Sequence, residues 1–216
     1  MSKPQRTLKS RLLLWGGGLL GVCLGLYFLP LFHIVPLKEA REQSAAAAFD
    51  AVAFVEDFWN EKLSKGVPDA VDANELLAAF GNDRTKAAAR YGHRLGLSGN
   101  ASYFVSGSGE ITAKDRGTVQ ITLKEGGMVT INTGPVFGNA IRDGSGLLDV
   151  SEFPNSQDFN ALSSEINRRV EEDVFPVLKE KAVVGVKVRF HGGVDIADSQ
   201  TEISPLNLVP VMIEFP

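Results

Sequence analysis

A chain of 216 residues has room for one ordinary domain plus a helical appendage, and its formal net charge is −4. Four of its 22 cations precede residue 12 and no acid occurs before Glu39, so residues 38–216 carry 18 cations against 26 acids. That surface repels phosphate backbones and anionic headgroups, which argues against nucleic acid as a partner. The single cysteine, Cys23, sits in an apolar run, so the rest of the chain has no thiol, disulfide or thiolate metal ligand and must be stable by packing.

Residues 12–37, LLLWGGGLLGVCLGLYFLPLFHIVPL, contain no Asp, Glu, Lys or Arg and follow Lys3, Arg6, Lys9 and Arg11. A bilayer core of about 30 Å needs roughly 20 apolar helical residues, so the run is long enough to span. Cations ahead of it favour a cytoplasmic start and an exported body. A cleaved secretory signal would be shorter and end in small residues, and no Ala-x-Ala follows; a lipidated Cys23 would need a small residue before it, where Val22 stands. The expected organisation is a cytoplasmic basic leader (1–11), a transmembrane signal anchor (12–37), a helical layer (38–95) and a β-rich domain (96–216). The expected location is the bacterial inner membrane, crossed once, with the C-terminal domain in the periplasm.

Residues 38–65 read as one long helix, because Ala48, Val52, Val55, Trp59 and Leu63 recur at helical spacing until Gly66 and Pro68. Two short helices follow. Asp72 with Glu75 makes a capping-box pattern ahead of Leu76, Leu77 and Phe80, and Asn82 or Asp83 caps the second, which ends at Gly92. His93 follows alone, and with three histidines in the chain a multi-histidine metal site is not expected.

Beyond residue 100 the period becomes two. Tyr103–Val105 opens a strand interrupted by Gly107 and Gly109 and resumed over Glu110–Ala113; Thr118–Leu123 and Met128–Thr133 complete a three-stranded meander. Residues 134–143, GPVFGNAIRD, do not alternate. Phe159, Leu162, Ile166, Val170 and Val174 restore the helical period, and Pro176 should end or kink that helix near Phe175. Strands over Gly185–Phe190 and Leu208–Phe215 close the chain. The fold class is therefore α+β: a helical layer packed on a small OB-like antiparallel β-barrel, with a long helix between its strands 3 and 4.

The chain resembles a family of predicted periplasmic lipoproteins whose domain has no assigned function. The resemblance covers roughly residues 33–214 and rests on the order and spacing of FHIVPL (32–37), FDAVAFVEDFWNEKL (49–63), AAARYGHR (87–94), GPVFGNAIRD (134–143), FNALSSEINRRV (159–170) and GVKVRFHGG (185–193). It implies export and a link to binding-protein-dependent sugar uptake systems. Members carry a lipidated cysteine just before the IVP-like segment; here His33 stands there and Cys23 lies ten residues earlier.

The candidate ligand-binding residues are Asn139, Arg142, Asp143 and Asn167. Arg142 offers a guanidinium fork for a carboxylate or sugar hydroxyls and Asp143 an acceptor beside it. The alternative is that both only tie their loop to the following helix. Asn167 adjoins the apolar stripe of Ile166 and Val170, either as a buried hydrogen-bonding link or exposed. Glu165 and Arg169 are placed for an i,i+4 ion pair. No nucleophile elbow, HExxH, Walker loop or dinucleotide fingerprint occurs, so the expected function is a non-enzymatic binding or accessory module of a solute uptake system, without cofactor. A glycan-directed enzyme using Asp143 and Glu165 and a structural envelope protein are the alternatives. The expected partners are the inner membrane, through the N-terminal helix, and a protein of a transport complex; the small-molecule ligand is unknown. OB-type domains commonly bind on the face around strands two and three, here Thr118–Thr133.

Overall fold

The computed structural model describes Pro36 and residues 49–67, 69–95 and 100–216. The anchor run, Pro36 apart, therefore lies outside the described residues, and no helix among those described is long and apolar enough to cross a membrane.

Helix α1 (Ala51–Phe58) starts where the Asp50 carboxylate accepts from the Ala53 amide, and it widens into a π turn over Trp59–Leu63. The expected helix from residue 38 is thus not continuous: Phe49 is outside the helix and Asp50, in extended backbone, is its cap, since an aspartate oxygen satisfies a first-turn amide best outside the helix. The buried face is Val55, Phe58, Trp59 and Leu63, whereas Val52, expected on it, points to solvent. Helices α2 (Ala73–Asn82) and α3 (Arg84–Tyr91) are capped by Asp72 and Asp83. The capping box is only half made, because Glu75 accepts from the Tyr91 hydroxyl at 2.6 Å instead of reaching back.

Six strands form one sheet: β1 (Val71–Asp72), β2 (Asn100–Lys114), β3 (Thr118–Leu123), β4 (Met128–Asn132), β5 (Lys187–Ala197) and β6 (Leu206–Glu214). The pairings run from β2 to β3, β4, β6 and β5, and β5 pairs back with β2. Two pairs depart from the antiparallel expectation. β4 and β6 run parallel, because the long connection containing β5 returns the chain in the same direction. The unexpected two-residue β1 runs parallel to β2 at Val105 and Ser106.

Gly107 and Gly109 do not interrupt β2. They let it change partner: β5 covers it as far as Glu110, while β3 takes over from Gly109. An added Cβ at Gly109 would lie 2.4 Å from the Thr122 carbonyl oxygen, and one at Gly107 would lie 2.7 Å from the Phe190 ring. Inside the ring, Ile111, Ile121, Ile131 and Phe190 are fully buried, each contributing about 1.5–3 kcal/mol of transfer free energy.

Between β4 and β5 lie α4 (Ala140–Gly144), a 3₁₀ turn at Val150–Glu152, and the long helical stretch. That stretch is α5 (Ser156–Arg169), a π turn at Val170–Val174 and α6 (Phe175–Lys181). Pro176 does not stop it. The preceding π turn shifts the hydrogen-bond register so that the proline enters the first turn of α6, where a missing N–H costs nothing.

Candidate functional site

The stretch GPVFGNAIRD, which shows no sequence period, is tightly packed against the sheet. Gly138 takes φ +90°, a left-handed turn that glycine adopts freely. The next five-residue helix, α4, lies directly on the β2–β5 pair. Two absent side chains permit this: a Cβ on Gly193 of β5 would lie 2.3 Å from the Ala140 carbonyl carbon, and one on Gly144 would lie 2.8 Å from the Tyr103 carbonyl oxygen.

Arg142 is 4% exposed. Its Nε donates to Asp143 Oδ1 at 2.6 Å, and its Nη1 donates to the Phe159 carbonyl (3.0 Å) and Asn160 Oδ1 (3.1 Å). The guanidinium also stacks 3.9 Å from the centroid of Phe159. The arginine therefore joins α4 to α5. Asn167 makes the neighbouring tie, its amide donating to the Gly138 carbonyl at 3.0 Å. Asn139 sits at the N-cap of α4, exposed and with no side-chain cap bond.

Two residues that the sequence did not single out complete the cluster. Ser102 of β2 and Asp195 of β5 are a cross-strand pair, and the serine hydroxyl donates to Asp195 Oδ1 at 2.5 Å. The position a Cβ of Gly138 would take is 3.6 Å from Asp195 Oδ2, so the Gly138 turn lies over this carboxylate. Protein packed around Asp195 raises its pKa by desolvation, the Ser102 hydrogen bond opposes this, and the Asp143 charge raises it further. Asp195 is nevertheless open to water on one side. Phe137, beside the turn, is 83% exposed.

The cluster sets two carboxylates against one buried guanidinium, whose Nε and Nη1 already have partners. It disfavours an anion and presents acceptors to a ligand that donates hydrogen bonds. Glu165, the other carboxylate considered for glycan chemistry, pairs with Arg168 rather than Arg169, and that hydrogen bond lowers its pKa. Arg169 pairs instead with Asp173. His93 packs its ring against Gly146 and its backbone pairs with Ser102. Among the described residues no group of three or more His, Cys, Asp or Glu is placed to hold a metal. On the expected OB-type face, Thr122, Leu123 and Lys124 line a cavity of about 690 Å³ that Lys187 and Arg189 also border.

Comparison with known proteins adds a family and a fold. The family described as "Predicted periplasmic lipoprotein (DUF2291)" matches residues 22–214. The chain belongs to this family. The matched region starts just before Cys23, includes the rest of the charge-free run and takes in every residue of the cluster. A crystal structure of an OB-fold protein from Thermotoga maritima is similar at 22% identity and a TM-score of 0.68, over 78% of this chain and 99% of that one. The domain is accordingly OB-like, with its helix between β4 and β5. No curated protein matches the chain.

Proposed function

We propose that this family member is a non-enzymatic binding module of a solute uptake system, held at the outer face of the inner membrane by residues 12–37. Its ligand is a neutral, hydroxyl-rich molecule of the sugar class, taken at Asp143, Asp195 and Ser102 with Asn139 at the rim. The charge-free anchor run behind four cations supports the location. The family description agrees with a periplasmic setting.

The observation that carries the ligand reading is the neighbouring carboxylates of Asp143 and Asp195 beside a solvent-facing edge, with Arg142 Nε and Nη1 held by protein partners. Carboxylates accept charge-assisted hydrogen bonds from hydroxyls, and the exposed Phe137 offers a ring to the apolar face of a pyranose.

Asp195 supplies the test, because it serves binding at a cost in stability. In the native protein it keeps its proton to higher pH than in the unfolded chain. The stability it contributes is therefore full below the ordinary carboxylate range and is lost as pH rises through its raised pKa. Asp195→Asn should melt above the wild type at neutral pH, with the difference vanishing in acid. The same variant should lose saturable binding in calorimetric titrations of the full chain against neutral monosaccharides. A monosaccharide bound equally by wild type and variant, or an amine bound in preference to every sugar, would contradict the proposal.

A further inference from the structure

A second cavity, of about 480 Å³, opens on the other side of Tyr103, between the α2–α3 pair and the ends of β2 and β5. Its walls carry apolar side chains, Phe80, Ala88 and Ile196 among them, together with Arg84, Arg94 and Asp198. None of the residues proposed to hold the sugar lines it.

The charges in this cavity do not cancel. Arg94 is neutralised by Asp198 through a two-pronged ion pair at 3.0 and 2.5 Å. Arg84 has no carboxylate partner among the described residues. Its Nη1 and Nη2 donate to the backbone carbonyls of Thr201 and Gln200, which fix the side chain without removing its charge. The guanidinium also lies 5.4 Å from the Phe80 ring centroid. With Arg94 and Asp198 paired, Arg84 leaves the cavity wall with one net positive charge beside its apolar side chains.

Tyr103 adds a donor. The residue is 1% exposed, and its ring packs edge-on against Phe80 with centroids 5.6 Å apart. Its hydroxyl has no hydrogen-bond partner among the described residues and is free to donate. Tyr103 lines the same cavity as Arg84, Arg94 and Asp198. Gly92 closes in behind it: a Cβ there would lie 3.1 Å from the Tyr103 oxygen.

We propose that this cavity binds a small monocarboxylate, its anionic end on Arg84 and the Tyr103 hydroxyl and its short apolar body among Phe80, Ala88 and Ile196. A single uncompensated guanidinium matches one negative charge, and the apolar wall matches a hydrocarbon body better than a phosphate. The site is independent of the sugar cluster and stands whether or not that reading holds.

Calorimetric titration of the full chain in detergent with butyrate, benzoate, 1-butanol and inorganic phosphate tests it. At least one carboxylate should bind saturably, and 1-butanol and phosphate should not. Tyr103→Phe, which keeps the ring packed, should weaken the carboxylate about ten-fold or more, the worth of one hydrogen bond to a charged group. Arg84→Gln should abolish binding, and Asp195→Asn should leave it unchanged. Should Arg84→Gln not fold, Tyr103→Phe decides alone. No saturable carboxylate binding, phosphate binding more tightly, equal binding of 1-butanol, or unchanged affinity in Tyr103→Phe would overturn the proposal.

Discussion

Replacing Arg142 with methionine should lower the free energy of unfolding by about 3–5 kcal/mol, the cost of leaving one partner of a buried ion pair alone. Methionine fills much of the same volume, so the loss comes mainly from stranded polar groups. Asp143, with a side chain 11% exposed, loses its counter-charge. The Phe159 carbonyl and the Asn160 amide oxygen lose a shared donor. Urea unfolding of wild type and variant measures the effect. The double replacement Arg142→Met with Asp143→Leu should recover a large part of it, because no buried charge then lacks a partner. A small loss in the single variant would mean that Arg142 does not hold α4 to α5.

Gly193→Ala should be nearly as damaging, for a different reason. The new methyl carbon would sit 2.3–2.5 Å from backbone atoms of Ala140 and Ile141, and backbone cannot rotate out of the way as a side chain can. Either α4 lifts from the sheet or β5 bends, at about 3 kcal/mol, the upper part of the usual range for overpacking. Sugar affinity should fall with stability, since Asp143 moves away from Asp195. Gly126 makes a useful contrast. It has φ +90° with nothing within 4 Å of an added Cβ, so Gly126→Ala should cost only about 1–2 kcal/mol of left-handed strain and leave binding intact.

These two positions also show where the sequence stops being informative. Asp72 and Asp83 could be read as caps because a cap bonds only to its own helix. The alternation of Val119, Ile121 and Leu123 could be read as a strand because period two is local. The stripe from Phe159 to Val174 survived a π turn because one such turn shifts the register without moving the stripe off its face. Helix α4 offered no such signal. Five residues are too short to show a period, and its seat depends on missing Cβ atoms at Gly144 and Gly193, 49 positions apart in the chain.

The cluster was half legible for the same reason. Arg142, Asp143, Asn139 and Asn167 stand out by residue type near a glycine turn. Ser102 and Asp195 are 93 positions apart and meet only through the β2–β5 register. The bulge in the β5–β6 pair falls on β6, at Val211, and β5 keeps its alternation throughout; it is the missing side chains of Gly192 and Gly193 that hide the period, so a strand that runs on to Ala197 reads as ending at Phe190. Continuing the alternation past the two glycines, to Val194 and Ile196, puts Asp195 on the outward face. The burial of Arg142 was less accessible still. An arginine beside an aspartate at a turn is usually solvated, and only the tertiary fold shows that Phe159 and Asn160 enclose it.

The proposed seat for a hydroxyl-rich ligand is the surface where α4 meets β2 and β5. Amide chemical-shift mapping of the full chain, titrated with whichever monosaccharide binds in calorimetry, tests this directly. The largest shifts should gather at Ser102, at residues 138–143 and at Asp195. Shifts confined to Thr118–Thr133, or no shifts with any neutral sugar, would contradict it.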